Sequence, residues 1–169
     1  VDSFSRLLIG AIPRLRRYAR SLTGDSQQAE DLVQDCLDRA WSRMTQWQAD
    51  TNMRAWLFTI MHNLYVNQVR RNSRQKGWES LADGDPVDTR QQAQDRMMDL
   101  RDLEQGLARL SAERREVLML VCLEGMSYEQ VGEVLGIPVG TVMSRLHRAR
   151  EELRGWMRGE VATRLKQVK

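Results

Sequence analysis

The chain has 169 residues, of which 41% are hydrophobic and 29% charged, with a formal net charge of +3. That length suits one domain or two small ones, and the balance is that of a globular chain rather than a disordered one. The longest apolar run, Val117 to Leu123, falls far short of the ~20 residues a membrane span needs. The stretch Leu7 to Ile12 runs into arginines without a basic leader or a cleavage site, so it does not read as a signal peptide. Cys36 and Cys122 lie far apart in apolar stretches, no CxxC occurs, and the two histidines stand at unrelated spacings. Buried, reduced thiols and a cytoplasmic location are expected, with no zinc site and no other cofactor.

The charge is unevenly distributed. Residues 1–76 carry 12 basic and 7 acidic side chains, residues 77–105 carry 3 and 8, and residues 106–169 carry 11 and 8. Two basic blocks flank an acidic connector, a pattern suited to two polyanion-binding modules on a tether.

Taken in chain order, apolar residues recur at spacings of three and four throughout, which predicts an all-α fold. The first helix is expected over about 4–22, with Pro13 kinking it or starting its second half and Gly24 ending it. Asp25 with Gln28 resembles a capping box for a second helix running to about Thr45. Its apolar stripe is Leu32, Val33, Cys36, Leu37, Ala40, Trp41 and Met44. A loop from Trp47 to Asn52 precedes a third helix over about 53–73, whose core face is Leu57, Ile60, Met61 and Leu64. From Gly77 to Val87 periodicity gives way to Gly, Asp and Pro, which predicts a flexible linker. Helical periodicity resumes near Gln91, Ser111 caps the next helix, Gly125 closes it, and two helices follow at about 128–135 and 139–157. The expected organisation is two small helical domains, 1–76 and 97–169, joined by an acidic linker at 77–96.

The most specific signal lies between Ser127 and Arg150. Ser127 with Gln130 forms a capping box, Gly136 can take the left-handed conformation that ends a helix, and Pro138 favours an extended approach to the next one. Val142, Leu146, Ala149 and Leu153 would face inward. Met143, Ser144, His147 and Arg148 would then lie on the outer face, ringed by Arg145 and Arg150, with Thr141 at the helix entry. A short helix, a tight turn and a second helix with a polar, basic outer face is the arrangement that reads the DNA major groove.

The run EGMSYEQVGEVLGIPVGTVMSRLHRAREEL, preceded by LARLSAERREVLML, resembles the carboxy-terminal domain of extracytoplasmic-function (ECF) sigma factors of bacterial RNA polymerase. The resemblance implies binding of the upstream, minus-thirty-five promoter element by Thr141, Met143, Ser144, Arg145, His147, Arg148 and Arg150. Two positions depart from the usual pattern: Met143 stands where a Lys or Arg is common, which bears on base preference, and Gly132 where Ala is common, which lets the two helices approach closely.

In the second helix Asp31, Asp35 and Asp38, with Gln34 beside them, lie opposite the apolar stripe. They form either a solvated acidic face or a docking surface. The run AEDLVQD is similar to the family segment that docks on the β′ clamp of the polymerase, so the resemblance makes Asp31, Gln34, Asp35 and Asp38 candidates for that contact. Arg70, Arg71, Arg74 and Lys76 end the third helix, where cations suit the helix dipole as well as DNA phosphates. Trp47, Asn52, Trp56, Asn63 and Asn67 are residue types that stack on and hydrogen-bond single-stranded bases, although Trp56 also reads as core. This stretch resembles the sigma segment that melts the downstream, minus-ten element, and Asn63 matches a position that contacts DNA in the family.

The resemblance covers about residues 5–76 and 100–156, nearly the whole chain. It implies core RNA polymerase (β′ clamp and β flap), promoter DNA and an anti-sigma factor, often membrane-anchored, as partners, with no small-molecule substrate. A decoy that titrates the anti-sigma factor, or a stand-alone helix-turn-helix regulator, would share parts of the pattern. An enzyme is not expected, because the chain has no phosphate-binding glycine loop, no HExxH and no nucleophile with a matched base.

Overall fold

The computed structural model describes residues 2–78 and 96–167. Helices account for nearly all of them, and no strand occurs among the described residues. Helices α1 (Asp2–Thr23), α2 (Ser26–Ser42) and α3 (Met53–Trp78) form one cluster, with a 3₁₀ turn at Met44–Gln46. Helices α4 (Arg96–Arg109), α5 (Ala112–Cys122), α6 (Tyr128–Leu135) and α7 (Val139–Gln167) form the other.

Local chemistry sets the boundaries. Gly24 adopts φ +68°, a conformation that suits glycine, and closes α1 by donating its N–H to the Arg20 carbonyl at 2.9 Å. The Asp25 carboxylate then accepts from the Gln28 N–H at 2.8 Å and opens α2. Ser111 caps α5 by accepting from the Arg114 N–H. At α6 the box is reciprocal: the Ser127 hydroxyl accepts from the Gln130 N–H at 3.1 Å, and the Gln130 side chain accepts from the Ser127 N–H at 3.0 Å. Helix α1 continues through Pro13 as one element.

In the first cluster Leu15, Tyr18, Cys36, Leu57, Phe58 and Met61 are almost fully buried, and the Tyr18 and Phe58 rings meet edge to face at 4.9 Å. In the second, Val117 and Leu120 of α5 pack with Val131 of α6 and Val142, Leu146 and Ala149 of α7. Each such large aliphatic or aromatic side chain contributes about 1.5–3 kcal/mol through burial, which makes these two sets the main source of stability. The buried residues run continuously from one cluster to the other, with α1 against α5 and α3 against α6.

Several expectations are corrected. Trp41, placed on the apolar stripe of α2, is 50% exposed, because the helix gives way to the 3₁₀ turn just beyond it. Cys122 is exposed at the C-terminal end of α5, where the helix leaves the core, whereas Cys36 is buried. Helix α3 continues to Trp78, past its expected end at Ser73. Helix α7 extends past 157 to Gln167, and its middle packs against α4. There Gly106 admits Leu153 and Trp156, and the Arg109 guanidinium stands 5.2 Å over the Trp156 ring. The expected resumption of helix near Gln91 lies outside the described residues, where α4 begins at Arg96.

Candidate nucleic-acid interface

The turn between α6 and α7 is fixed by two glycines. Gly136 sits at φ 65°, ψ 37° and reverses the chain. Gly132 faces the turn so closely that a Cβ there would come within 2.9 Å of the Ile137 carbonyl oxygen. The turn therefore seats directly on α6 and sends α7 off at once, with the Thr141 and Val142 N–H groups bonded to the Pro138 carbonyl.

From that start Val142, Leu146 and Ala149 are buried, and Met143, Ser144, His147 and Arg148 are exposed on one face of the first turns of α7. Met143 is 52% exposed, so an apolar side chain leads this face. The Ser144 hydroxyl donates to the Thr141 carbonyl at 3.1 Å, and Thr141 is half-buried at the helix entry. Arg145 and Arg150 turn aside toward α5. The Arg145 guanidinium pairs with Glu113 at 3.4 Å, and that of Arg150 lies 3.8 Å from the Cys122 sulfur. The outer face is thus narrower than the sequence suggests, and Arg148 is its central cation.

The second candidate face lies on α3. Trp56, Asn63, Asn67 and Arg70 come together along a cleft of about 520 Å³. Arg39 and Arg43 from the end of α2 join them, and neither was singled out in the sequence. Their i, i+4 spacing was the available signal, but helix ends commonly carry cations for dipole reasons alone. Trp47 does not belong to this cleft. Its ring packs 5.5 Å from Phe4, and its indole N–H is buried without a partner, so it supports the loop rather than presenting a stacking surface. Trp56 meets the same Phe4 ring at 6.3 Å and therefore serves both core and cleft. Asn52 caps α3, its side-chain oxygen accepting from the Arg54 and Ala55 N–H groups. Arg71 lines a different groove, shared with Asp35, and Arg74 is exposed. Trp41, the exposed tryptophan, also contacts Phe4 and borders this region.

On α2 the carboxylates of Asp31, Asp35 and Asp38 are all exposed, as is Gln34. Gln27 donates to Asp31 at 3.2 Å and Gln34 to Asp38 at 3.1 Å, so two of the three acids are held by neutral neighbours one turn away. None of the three forms an ion pair among the described residues, which leaves the face electronegative. Burial pushes the Cys36 thiol up to about 12, and its S–H points at the Leu57 carbonyl. It is therefore inert packing, and no group of His, Cys, Asp and Glu among the described residues could hold a metal.

Two further acids were not anticipated. Glu116 and Glu124 flank the apolar run of α5 and are buried at 6% and 4% exposure. Both reach into the first cluster: Glu116 accepts from the Tyr18 hydroxyl and lies 2.6 Å from His62 Nδ1, while Glu124 pairs with Arg14 at 3.3 Å and with Arg17. Next to Glu116, Arg115 donates its Nε–H to the Ser21 carbonyl at 2.6 Å.

A family model described as the Sigma2 domain of PhyR matches residues 8–62, and one for Sigma-70, region 4 matches residues 100–153. The ECF RNA polymerase sigma factor EcfG of Rhodopseudomonas palustris is 37% identical over 154 residues, which are 90% of this chain and 83% of that protein. The ECF sigma factor SigL of Mycobacterium tuberculosis is 40% identical over 144 residues, 83% of this chain and 80% of its own length. Among solved structures, the sigma factor RpoE of Bartonella quintana, in complex with the anti-sigma factor NepR, superposes with a TM-score of 0.78 at 34% identity. That match covers 94% of this chain and 98% of that one.

Proposed function

The chain belongs to the ECF family of RNA polymerase sigma factors, and from that premise we propose how its surfaces divide the work of promoter recognition. It is a non-catalytic alternative sigma factor that directs transcription initiation. The phosphodiester chemistry belongs to the polymerase.

The observation that carries the reading is the face of α7. Met143, Ser144, His147 and Arg148 stand exposed over a buried Val142–Leu146–Ala149 stripe, directly after a glycine-closed turn. A helix presented in this way enters the major groove with its first turns against base edges. Arg148 donates two hydrogen bonds to a guanine edge, Met143 contacts base carbon atoms, and Ser144 and His147 supply further polar contacts. Arg145 and Arg150 sit beside the face and meet phosphates.

The cleft on α3 takes the downstream element once it is melted. Asn63 and Asn67 offer amides to unpaired base edges, Trp56 gives a partly exposed ring edge, and Arg39, Arg43 and Arg70 neutralise the strand. The acidic face of α2, with Asp31, Gln34, Asp35 and Asp38, docks on a basic surface of the β′ clamp, while the second cluster meets the β flap. Each DNA contact is weak alone. Polymerase fixes both clusters on one scaffold, and linkage raises the effective concentration of the second contact once the first is made.

The likeness to RpoE bound to NepR supports an anti-sigma factor as the physiological inhibitor. The match of residues 8–62 to the PhyR domain raises the decoy alternative, in which the chain would bind an anti-sigma factor without reading DNA. A decoy has no need of the exposed Arg148 face or of the Arg39, Arg43 and Arg70 cluster. Transcription by core polymerase plus this chain, from a library of randomised promoters, tests the reading. A defined pair of upstream and downstream motifs is the expected result. Tight binding to an anti-sigma factor with no transcript from any template would favour the decoy.

A further inference from the structure

Resting on the major-groove placement of α7 proposed above, we infer that a shallow notch beside Met143 takes the C5-methyl group of a thymine. Met143 is thereby a specificity-determining residue for the upstream element, separate from Arg148.

The notch is apolar where it meets the reading face. Met143 is 52% exposed, and Val139, one turn earlier on the same side of α7, is 36% exposed. Neither side chain carries a hydrogen-bond donor, and the Met thioether is only a weak acceptor. A hollow of about 210 Å³ opens beside Met143, lined also by Tyr128, Leu146, His147, Arg150 and Arg154. Leu146 is buried, and Tyr128 is half-buried at the start of α6. The Gly136 reversal folds α6 back on α7 and so brings the Tyr128 ring to this flank. A methyl group fits such a hollow, while Arg150 and Arg154 beside it suit the neighbouring phosphates.

The base code selects the occupant. In the major groove guanine, adenine and cytosine show only hydrogen-bonding groups, whereas thymine adds a methyl to its O4 acceptor. A side chain without donors, pressed on a polar base edge, displaces water and replaces none of its hydrogen bonds. Pressed on a methyl, it gains apolar burial instead. Met143 therefore favours thymine and disfavours the other three bases by one contact. Its flexible, polarizable thioether can follow the methyl across small changes in groove shape. Arg148 lies five residues further on, about 140° around the helix. The two side chains thus reach different base pairs, and either can be altered while the other keeps its contact.

The test uses the full chain with core polymerase and the upstream element selected from a randomised promoter library. Each thymine of that element, on both strands, is replaced in turn by deoxyuridine, which lacks only the methyl group. Burial of one methyl is worth about fourfold in binding. One replacement should weaken wild-type holoenzyme by about that factor and leave Met143→Ala unchanged. Met143 is exposed, so the variant should fold normally, and it should keep the guanine preference assigned to Arg148. An element in which no thymine responds to uracil overturns the methyl notch, as does the same fourfold loss in Met143→Ala. In both cases a guanine preference that Arg148→Ala abolishes would leave the placement of α7 standing. Failure of the library to yield any upstream element would instead refute that placement, and the notch with it.

Discussion

If Arg148 reads a base edge as proposed, replacing it by alanine isolates the reading of a single base pair. Arg148 is exposed on the outer face of α7 and forms no ion pair among the described residues. Its loss should therefore leave stability within about 0.5 kcal/mol of wild type. If the guanidinium donates two hydrogen bonds to a guanine, its removal costs ~1–3 kcal/mol of discrimination at that position, or about 5- to 150-fold in preference. Arg145 provides the contrast. It is tied to Glu113 by an ion pair at 3.4 Å with a glutamate that is 69% exposed, a pair worth at most about 1 kcal/mol. With the phosphate-neutralising role proposed for it, Arg145→Ala should weaken all promoters alike and lower the salt slope by about 0.9. The assay is transcription from a randomised upstream element by wild type and both variants, with reads counted per base, together with binding over a salt series. A uniform loss for Arg148→Ala with a position-specific loss for Arg145→Ala would refute this division of roles.

Asp31→Arg with Asp35→Arg should abolish core polymerase binding in a titration while circular dichroism stays unchanged, since both acids are exposed on α2. Asn63→Ala should reduce permanganate reactivity of promoter thymines while duplex binding persists, and a pre-melted template should rescue it. Gly136→Ala forces a Cβ into the left-handed region at φ 65° and should cost about 1–2 kcal/mol, read as a fall of several degrees in Tm. Native protein treated with iodoacetamide at pH 8 should be modified at exposed Cys122 and not at Cys36, with both modified in denaturant. Because burial raises the Cys36 thiol from 9.0 to about 12 in the fold, its contribution to stability is full below pH 9 and lost as pH rises toward 12. Burial beside Glu116 raises the Tyr18 phenol as well, so Tm should fall at alkaline pH, and less steeply in Cys36→Ala.

What the sequence determined by itself is local. The box at Ser127 and Gln130, the reversal at Gly136, the cap at Asp25 and the buried stripe of α7 all depend on atoms within about four residues of one another. Periodicity names the face of a helix, but it does not say what covers that face. Trp41 fits the stripe of α2 and is nevertheless half-exposed, because the chain turns away just beyond it. Cys122 fits the apolar run of α5 and emerges at its end. Arg145 and Arg150 follow the outer face by spacing, yet Glu113 and Cys122 on α5 draw them aside. The roles of Glu116 and Glu124 were the least legible. Their partners lie about 100 positions away in the chain, Tyr18 at a separation of 98 and Arg17 at 107. A carboxylate in an apolar run announces only that something must compensate its burial. Which groups do so is decided when α1 and α3 close over α5, and only the tertiary structure brings them together.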